Sequence, residues 1–172
     1  MVKKLFETID IYTNNSLNGN SIFSTQVERN QIFTSNNGWG FEESMKLTLI
    51  DNLPFITVAL TYRGKTIQIS SVLIDTGSAS TILSADDVAS IDIFPSPEDN
   101  LYTIRGVGGN EVVFSRIVDH LRVGDQGLSG FEVEIGGMDY GFDIHGILGM
   151  DFLTKVGAII NFRNMTVSFG SR

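Results

Sequence analysis

The chain has 172 residues, 42% of them apolar and 19% charged, which fits one soluble globular domain with a sizeable core. A net charge of −8, with no basic cluster longer than Lys3-Lys4, argues against a phosphate-tracking nucleic-acid surface and against a basic membrane patch. Cysteine is absent, which excludes disulfides, thiolate metal sites and a cysteine nucleophile, and makes a reducing, cytoplasmic setting the expectation.

In chain order, residues 1–44 stand apart. Leu5-Phe6 is followed at once by Glu7, Thr8 and Asp10, so no signal-peptide apolar segment is expected, and no run approaches the length of a membrane span. From Tyr12 to Gly40 the chain is rich in Asn, Ser, Thr and Gly and keeps no sustained period. This reads as an N-terminal extension, either an arm, a propeptide-like segment or a partly disordered leader. Trp39 and Phe41, beside Gly38 and Gly40, are its expected packing anchors.

The folded domain is expected over residues 45–172. Alternation in Lys46–Leu49, Thr57–Tyr62 and Thr66–Ser70 predicts half-buried strands, with Arg63-Gly64-Lys65 as the turn between the last two. The strand from Thr66 runs on through Val72-Leu73-Ile74 to Asp75. Ser84, with Asp87 three residues later, predicts the N-cap of a short helix that Pro95 and Pro97 close off. Tyr102–Arg105 and Glu111–Ser115 then flank a glycine-rich tip. Ile117–Val123 and Phe131–Ile135 predict two more strands, with turns at Gly124 and Gly127. Met150–Lys155 predicts a short helix stopping at Gly157, and Ala158–Phe162 with Met165–Phe169 a terminal hairpin around Arg163-Asn164. Many short strands, two short helices and 18 glycines give an all-β domain with a closed or strongly curved sheet.

One stretch stands out chemically. Val72-Leu73-Ile74 ends on Asp75, crosses Thr76-Gly77-Ser78 and turns apolar again at Ile82-Leu83. An ionised carboxylate in such surroundings is costly unless hydrogen-bonded, paired or protonated, and catalysis is one reason to keep it there.

The segments LIDTGSAST (residues 73–81), IRGVGGNEV (104–112) and GILGMDFL (146–153) follow one another in an order and approximate spacing that resemble the retropepsin-like aspartic proteases. The resemblance covers roughly residues 45–172. It implies a retropepsin-like acid-protease barrel, one lobe per chain, active as a two-fold homodimer on peptide or protein substrates without metal or other cofactor. Peptide hydrolysis of this kind needs one group to deprotonate water and another to protonate the scissile carbonyl. Two carboxylates close enough to share a proton do both. This chain holds a single Asp-Thr-Gly, and the late Ile147-Leu148-Gly149 turn has no acid at the matching place, so the second carboxylate is expected from Asp75 of another subunit.

The resemblance further implies that Asp75 is the catalytic carboxylate and that Thr76 bonds across the dimer. Gly77 would permit close backbone approach, and Ser78 would hydrogen-bond the aspartate unless it is only a local turn hydroxyl. Retroviral members often carry an acid where this chain has Ala79, which leaves a substrate-backbone contact absent or supplied elsewhere. Arg105, Gly106, Val107, Gly108 and Gly109, running to Glu111, would form a flap over the substrate, and Ile147, Leu148 and Gly149 the supporting turn. A phosphate-binding glycine loop does not fit, because Glu111 stands where its third glycine is required. His120 and His145 have no partner spacing for a metal site, and Asp139, Asp143 and Asp151 read as solvated or capping acids. The expected function is therefore a homodimeric aspartic endopeptidase. The alternative is a non-catalytic dimeric peptide-binding or assembly module on the same fold.

Overall fold

The computed structural model describes residues 44–106, 109–140 and 143–170. The expectations placed on Trp39, Phe41, Val107 and Gly108 therefore lie outside the described residues. After two short strands, β1 (Met45–Lys46) and β2 (Thr48–Ile50), the chain forms a long hairpin of β3 (Leu53–Tyr62) and β4 (Lys65–Ile74). Tyr62 pairs with Lys65, so the turn consists of Arg63 and Gly64 alone, both at positive φ (47° and 76°). That handedness matches the twist of the flanking strands.

Beyond Asp75 come β5 (Ile82–Ser84), α1 (Ala85–Val88) and a 3-10 turn over Ala89–Ile91, then β6 (Tyr102–Gly106), β7 (Gly109–Val123) and β8 (Gln126–Gly136). The last elements are β9 (Gly146–Leu148), α2 (Met150–Lys155), β10 (Ala158–Asn161) and β11 (Thr166–Phe169). The two strands expected at 111–115 and 117–123 are one continuous strand, because Ser115 and Arg116 interrupt nothing that a ladder needs. Gly127 lies inside β8 and not in a turn; Val123 pairs directly with Gln126. Ser84 does occupy the N-cap position of α1, but its side chain makes no capping bond.

The large sheet runs β2-β3-β4-β9-β5-β8-β7-β6, and a further pairing of β3 with β7 closes its middle six strands into a barrel. Two pairs in this ring are parallel, β4 with β9 and β5 with β8, while β5 and β9 run antiparallel between them. The stretch read as a supporting turn thus begins as a strand wedged beside the end of β4. A separate three-stranded sheet, β1-β11-β10, carries the terminal hairpin.

Strand alternation divides the apolar residues between two clusters. Val72 and Ile74 of β4, Leu83 of β5, Phe114 of β7 and Leu148 of β9 point into the barrel, where Phe152 of α2 meets Phe131 edge-on at 5.8 Å. The intervening Leu73, Ile82 and Val113 point the other way, into a second cluster with Phe55, Met138 and Ile144, on which Ile104 of β6 and Ile147 of β9 pack. The apolar run before Asp75 is therefore buried on both faces, as a central strand covered on each side must be.

Phe152 has no exposed surface. Phe152→Ala should lower stability by about 3–5 kcal/mol through lost burial and the cavity left behind, measured as a shift of the urea midpoint. A midpoint within experimental error of the wild type would show that α2 does not seal the barrel.

Candidate active site

Asp75 follows the last residue of β4, and its N–H donates to Leu148 O at 3.2 Å, extending the parallel ladder by one bond. The chain then turns sharply. Ser78 N–H returns to Asp75 O at 3.2 Å, and Gly77 N–H donates to Asp75 Oδ1 at 2.8 Å. Among the described residues, Asp75 Oδ2 has no hydrogen-bond partner. Asp75 is half-buried, whereas Thr76 and Gly77 are exposed. The corner thus presents a carboxylate with one oxygen oriented by backbone and the other open.

The bond expected from Ser78 to the aspartate is not made. Ser78 Oγ donates to Ser80 O at 2.8 Å, so the hydroxyl braces the turn, while a backbone N–H two residues after Asp75 orients the carboxylate. Ala79 is exposed on the same loop.

What fixes the loop comes from the far end of the chain. Gly149 lies so close to Ser80 that a Cβ there would sit 2.3 Å from Ser80 O, a contact only glycine avoids. The first N–H groups of α2, Met150 and Asp151, donate to Ser78 O and Ala79 O at 2.9 and 3.3 Å. These donors lack intrahelical partners, and the loop satisfies them. Thr81, wholly buried, donates through Oγ1 to Asp151 Oδ1 at 2.7 Å and accepts from Gly149 N–H at 3.1 Å, while its own N–H reaches Asp151 Oδ2 at 3.0 Å. Asp151 Oδ1 also accepts Phe152 N–H at 2.7 Å. Asp151 is therefore a capping acid whose carboxylate also grips the loop. Its partner is Thr81, which no motif singles out; a hydroxyl immediately before the apolar Ile82-Leu83 is the available signal.

Ile147 and Leu148 lie on β9, the first half-buried against the second cluster and the second inside the barrel. Arg105 pairs with Asn110 and Gly106 with Gly109, which makes β6–β7 a hairpin. Glu111, on β7, accepts from Gly137 and Met138 N–H at 2.6 and 3.3 Å, anchoring the hairpin's return limb to the end of β8.

His145, immediately before β9, lies between two carboxylates, Nδ1 2.7 Å from Asp87 Oδ2 and Nε2 3.0 Å from Asp143 Oδ1. Its backbone joins Ser71 O and Ser84 N–H. The Asp87 hydrogen bond, and less strongly that of Asp143, raise its pKa above 6.5 against the opposing effect of burial. His120 is exposed on β7 with Ser129 Oγ at its Nδ1, 2.9 Å away. Among the described residues no group of three or more His, Asp and Glu could hold a metal ion.

An all-β barrel with this corner, a glycine-tipped hairpin and a late Gly turn into a helix is the retropepsin-like fold. A crystal structure of a retropepsin-like aspartic protease from Rickettsia conorii matches it with a TM-score of 0.52 at 16% identity, over 72% of this chain and 97% of that one. The aspartyl protease family model matches residues 58–152, more than half of the chain, from within β3 to within α2. The chain belongs to the aspartyl protease family. No curated protein sequence matches it significantly.

Two outcomes follow from the geometry. Thr81→Val should cost about 1–3 kcal/mol, because it strands the Gly149 N–H and removes a donor from Asp151; an unchanged denaturation midpoint would discount the clamp. For His145 the folded pKa is raised, so its contribution is fully present below the unfolded value of 6.5 and is lost as pH rises through the higher folded value. The stability gap between wild type and His145→Gln should therefore narrow from pH 6 upward, measured by urea titration at several pH values, and a gap that widens instead would contradict the pairing.

Proposed function

We propose that this chain is an aspartic endopeptidase in which Asp75 of two subunits, facing each other across a two-fold axis, hydrolyses a peptide bond with water. The observation that carries this reading is the Asp75 corner: a carboxylate at the end of β4, one oxygen fixed by Gly77 N–H and the other without a hydrogen-bond partner among the described residues, flanked by exposed Thr76 and Gly77. One ionised carboxylate removes a proton from water while the second, protonated, donates to the scissile carbonyl. On collapse of the tetrahedral intermediate the first gives its proton to the leaving nitrogen, and the second recovers one from the intermediate's hydroxyl as the C–N bond breaks. Both groups need to be close enough to share that proton, and the sequence supplies the motif once per chain. An isologous dimer brings each residue near the axis against its own copy, which makes Asp75 a pair without a second motif.

Membership of the aspartyl protease family supports the chemistry, and the clamped loop supports the geometry. The substrate is an extended peptide lying between the corner and the hairpin β6–β7, held by main-chain hydrogen bonds with alternate side chains entering pockets. The half-buried Ile104 and Ile147, which pack on the second apolar cluster, favour apolar side chains beside the scissile bond.

Asp75→Asn should lower turnover of a peptide library by about 10²–10⁴-fold with the sedimentation profile unchanged. The active wild-type species should sediment at twice the 18.9 kDa chain mass. Cleavage that survives Asp75→Asn, or that comes from a strict monomer, would overturn the mechanism. A dimer that binds peptides and never cleaves them would make the chain a recognition module.

A further inference from the structure

Strand β6 is one of the two edge strands of the large sheet, and among the described residues its backbone pairs with β7 alone. Its attachment to the body of the domain on the other side must therefore come from side chains. Ile104 supplies apolar contact with the second cluster. Tyr102 supplies a polar one: its hydroxyl donates to Glu134 Oε1 at 3.1 Å and lies 2.9 Å from Ser115 Oγ. A phenol has one proton, so when it serves Glu134, Ser115 is the donor in the second bond. Burial and the nearby Glu134 charge raise the Tyr102 pKa against the opposing bond from Ser115.

The other oxygen of the same carboxylate looks toward the Asp75 loop. Glu134 Oε2 accepts from Ser80 Oγ at 2.8 Å. Ser80 is the residue whose backbone rests against Gly149 and whose carbonyl takes the Ser78 hydroxyl. Glu134 is itself held on both sides, opposite Ser115 of β7 and beside Ile82 of β5, with its N–H donating to Thr81 O at 2.9 Å. Among the described residues no Lys or Arg forms an ion pair with it, so its hydrogen-bond partners are the two hydroxyls. Bonds to an ionised acceptor are roughly twice as strong as neutral ones.

We propose that Glu134 is a positioning residue that fastens the hairpin β6–β7 to the loop carrying Asp75, through Tyr102 on one oxygen and Ser80 on the other. Its functional meaning rests on the proposed peptidase reading, in which that hairpin covers the bound peptide. A tethered hairpin is already near its binding position, so a peptide does not first have to order it. Untethering it lowers the fraction of molecules ready to bind and raises the apparent dissociation constant in proportion, without touching the chemistry at Asp75.

The test is a cycle of Tyr102→Phe, Glu134→Ala and the double variant, with Glu134→Gln as the conservative control. Amide hydrogen exchange over residues 102–106 should quicken by about tenfold in each single variant and no further in the double, since both remove one interaction. In peptide assays KM should rise by about three- to tenfold with kcat within about twofold of wild type. Glu134→Gln keeps an acceptor oxygen for Tyr102 but loses the charge, and should fall between wild type and Glu134→Ala in both readouts. Tyr102→Phe removes only a hydroxyl, so the cycle retains a well-folded arm. Unchanged exchange in Tyr102→Phe, or additive effects in the double variant, would overturn the tether. Glu134→Gln as damaging as Glu134→Ala would also overturn it, leaving the carboxylate as a bare charge. Exchange is measured without substrate, so a wild-type chain lacking peptidase activity would remove the proposed function and leave the tether to be decided on exchange alone.

Discussion

The structure depends on the close approach of two backbones, Ser80 on the corner loop and Gly149 at the start of α2. That contact is possible only because position 149 has no side chain. Once the backbones meet, the rest is hydrogen-bond completion. The leading N–H groups of α2 find the carbonyls of Ser78 and Ala79, and Asp151 closes on Thr81 from the other side. Each partner would be left with buried, unsatisfied polar groups if the other withdrew, and that cost makes the arrangement hold. Asp75 is thereby placed by its surroundings, and its own carboxylate remains available.

The barrel serves the same end by using both faces of its short central strands. β4, β5 and β9 each send alternate residues to the barrel interior and to the outer apolar cluster. A strand packed on both sides has little freedom to slide, since a shift by one residue would exchange the two sets of side chains. The corner at Asp75 inherits that fixed register. The second cluster also gives the hairpin β6–β7 its seat, so one set of apolar residues sets the spacing between the strand that leads to Asp75 and the hairpin.

Much of this was legible in the sequence. The turn around Arg63-Gly64 (expected to include Lys65, which begins β4), β4 running into Asp75, the β6–β7 pairing, and the α2 and β10–β11 segments all follow from local period and turn residues. The resemblance to retropepsin-like proteases rests on three short segments that the fold does bring into one framework. What escaped were facts about partners. Nothing in the run Glu111 to Val123 announces one strand or two, since strand continuity depends on what lies alongside. Ser78 and Ser84 are both hydroxyls in the right place for bonds that the fold gives to other groups: Gly77 N–H serves Asp75, and no side chain caps α1. The pairing of Thr81 with Asp151 joins residues whose neighbourhoods are unrelated in the sequence, and no periodicity can reveal it.

That pairing has a bearing on how the protein is made. Thr81 and Asp151 are 70 residues apart, and the β3–β7 contacts that close the barrel also bridge distant parts of the chain. Long-range closure of this kind is slow, because chain entropy is lost before the contacts reward it. The loop around Asp75 is made ahead of α2 and has nothing to hold it until α2 has followed and docked. A nascent chain therefore carries Asp75 in an unorganised segment for that interval. The order of the corner is in this sense set by an element that follows it by 70 residues.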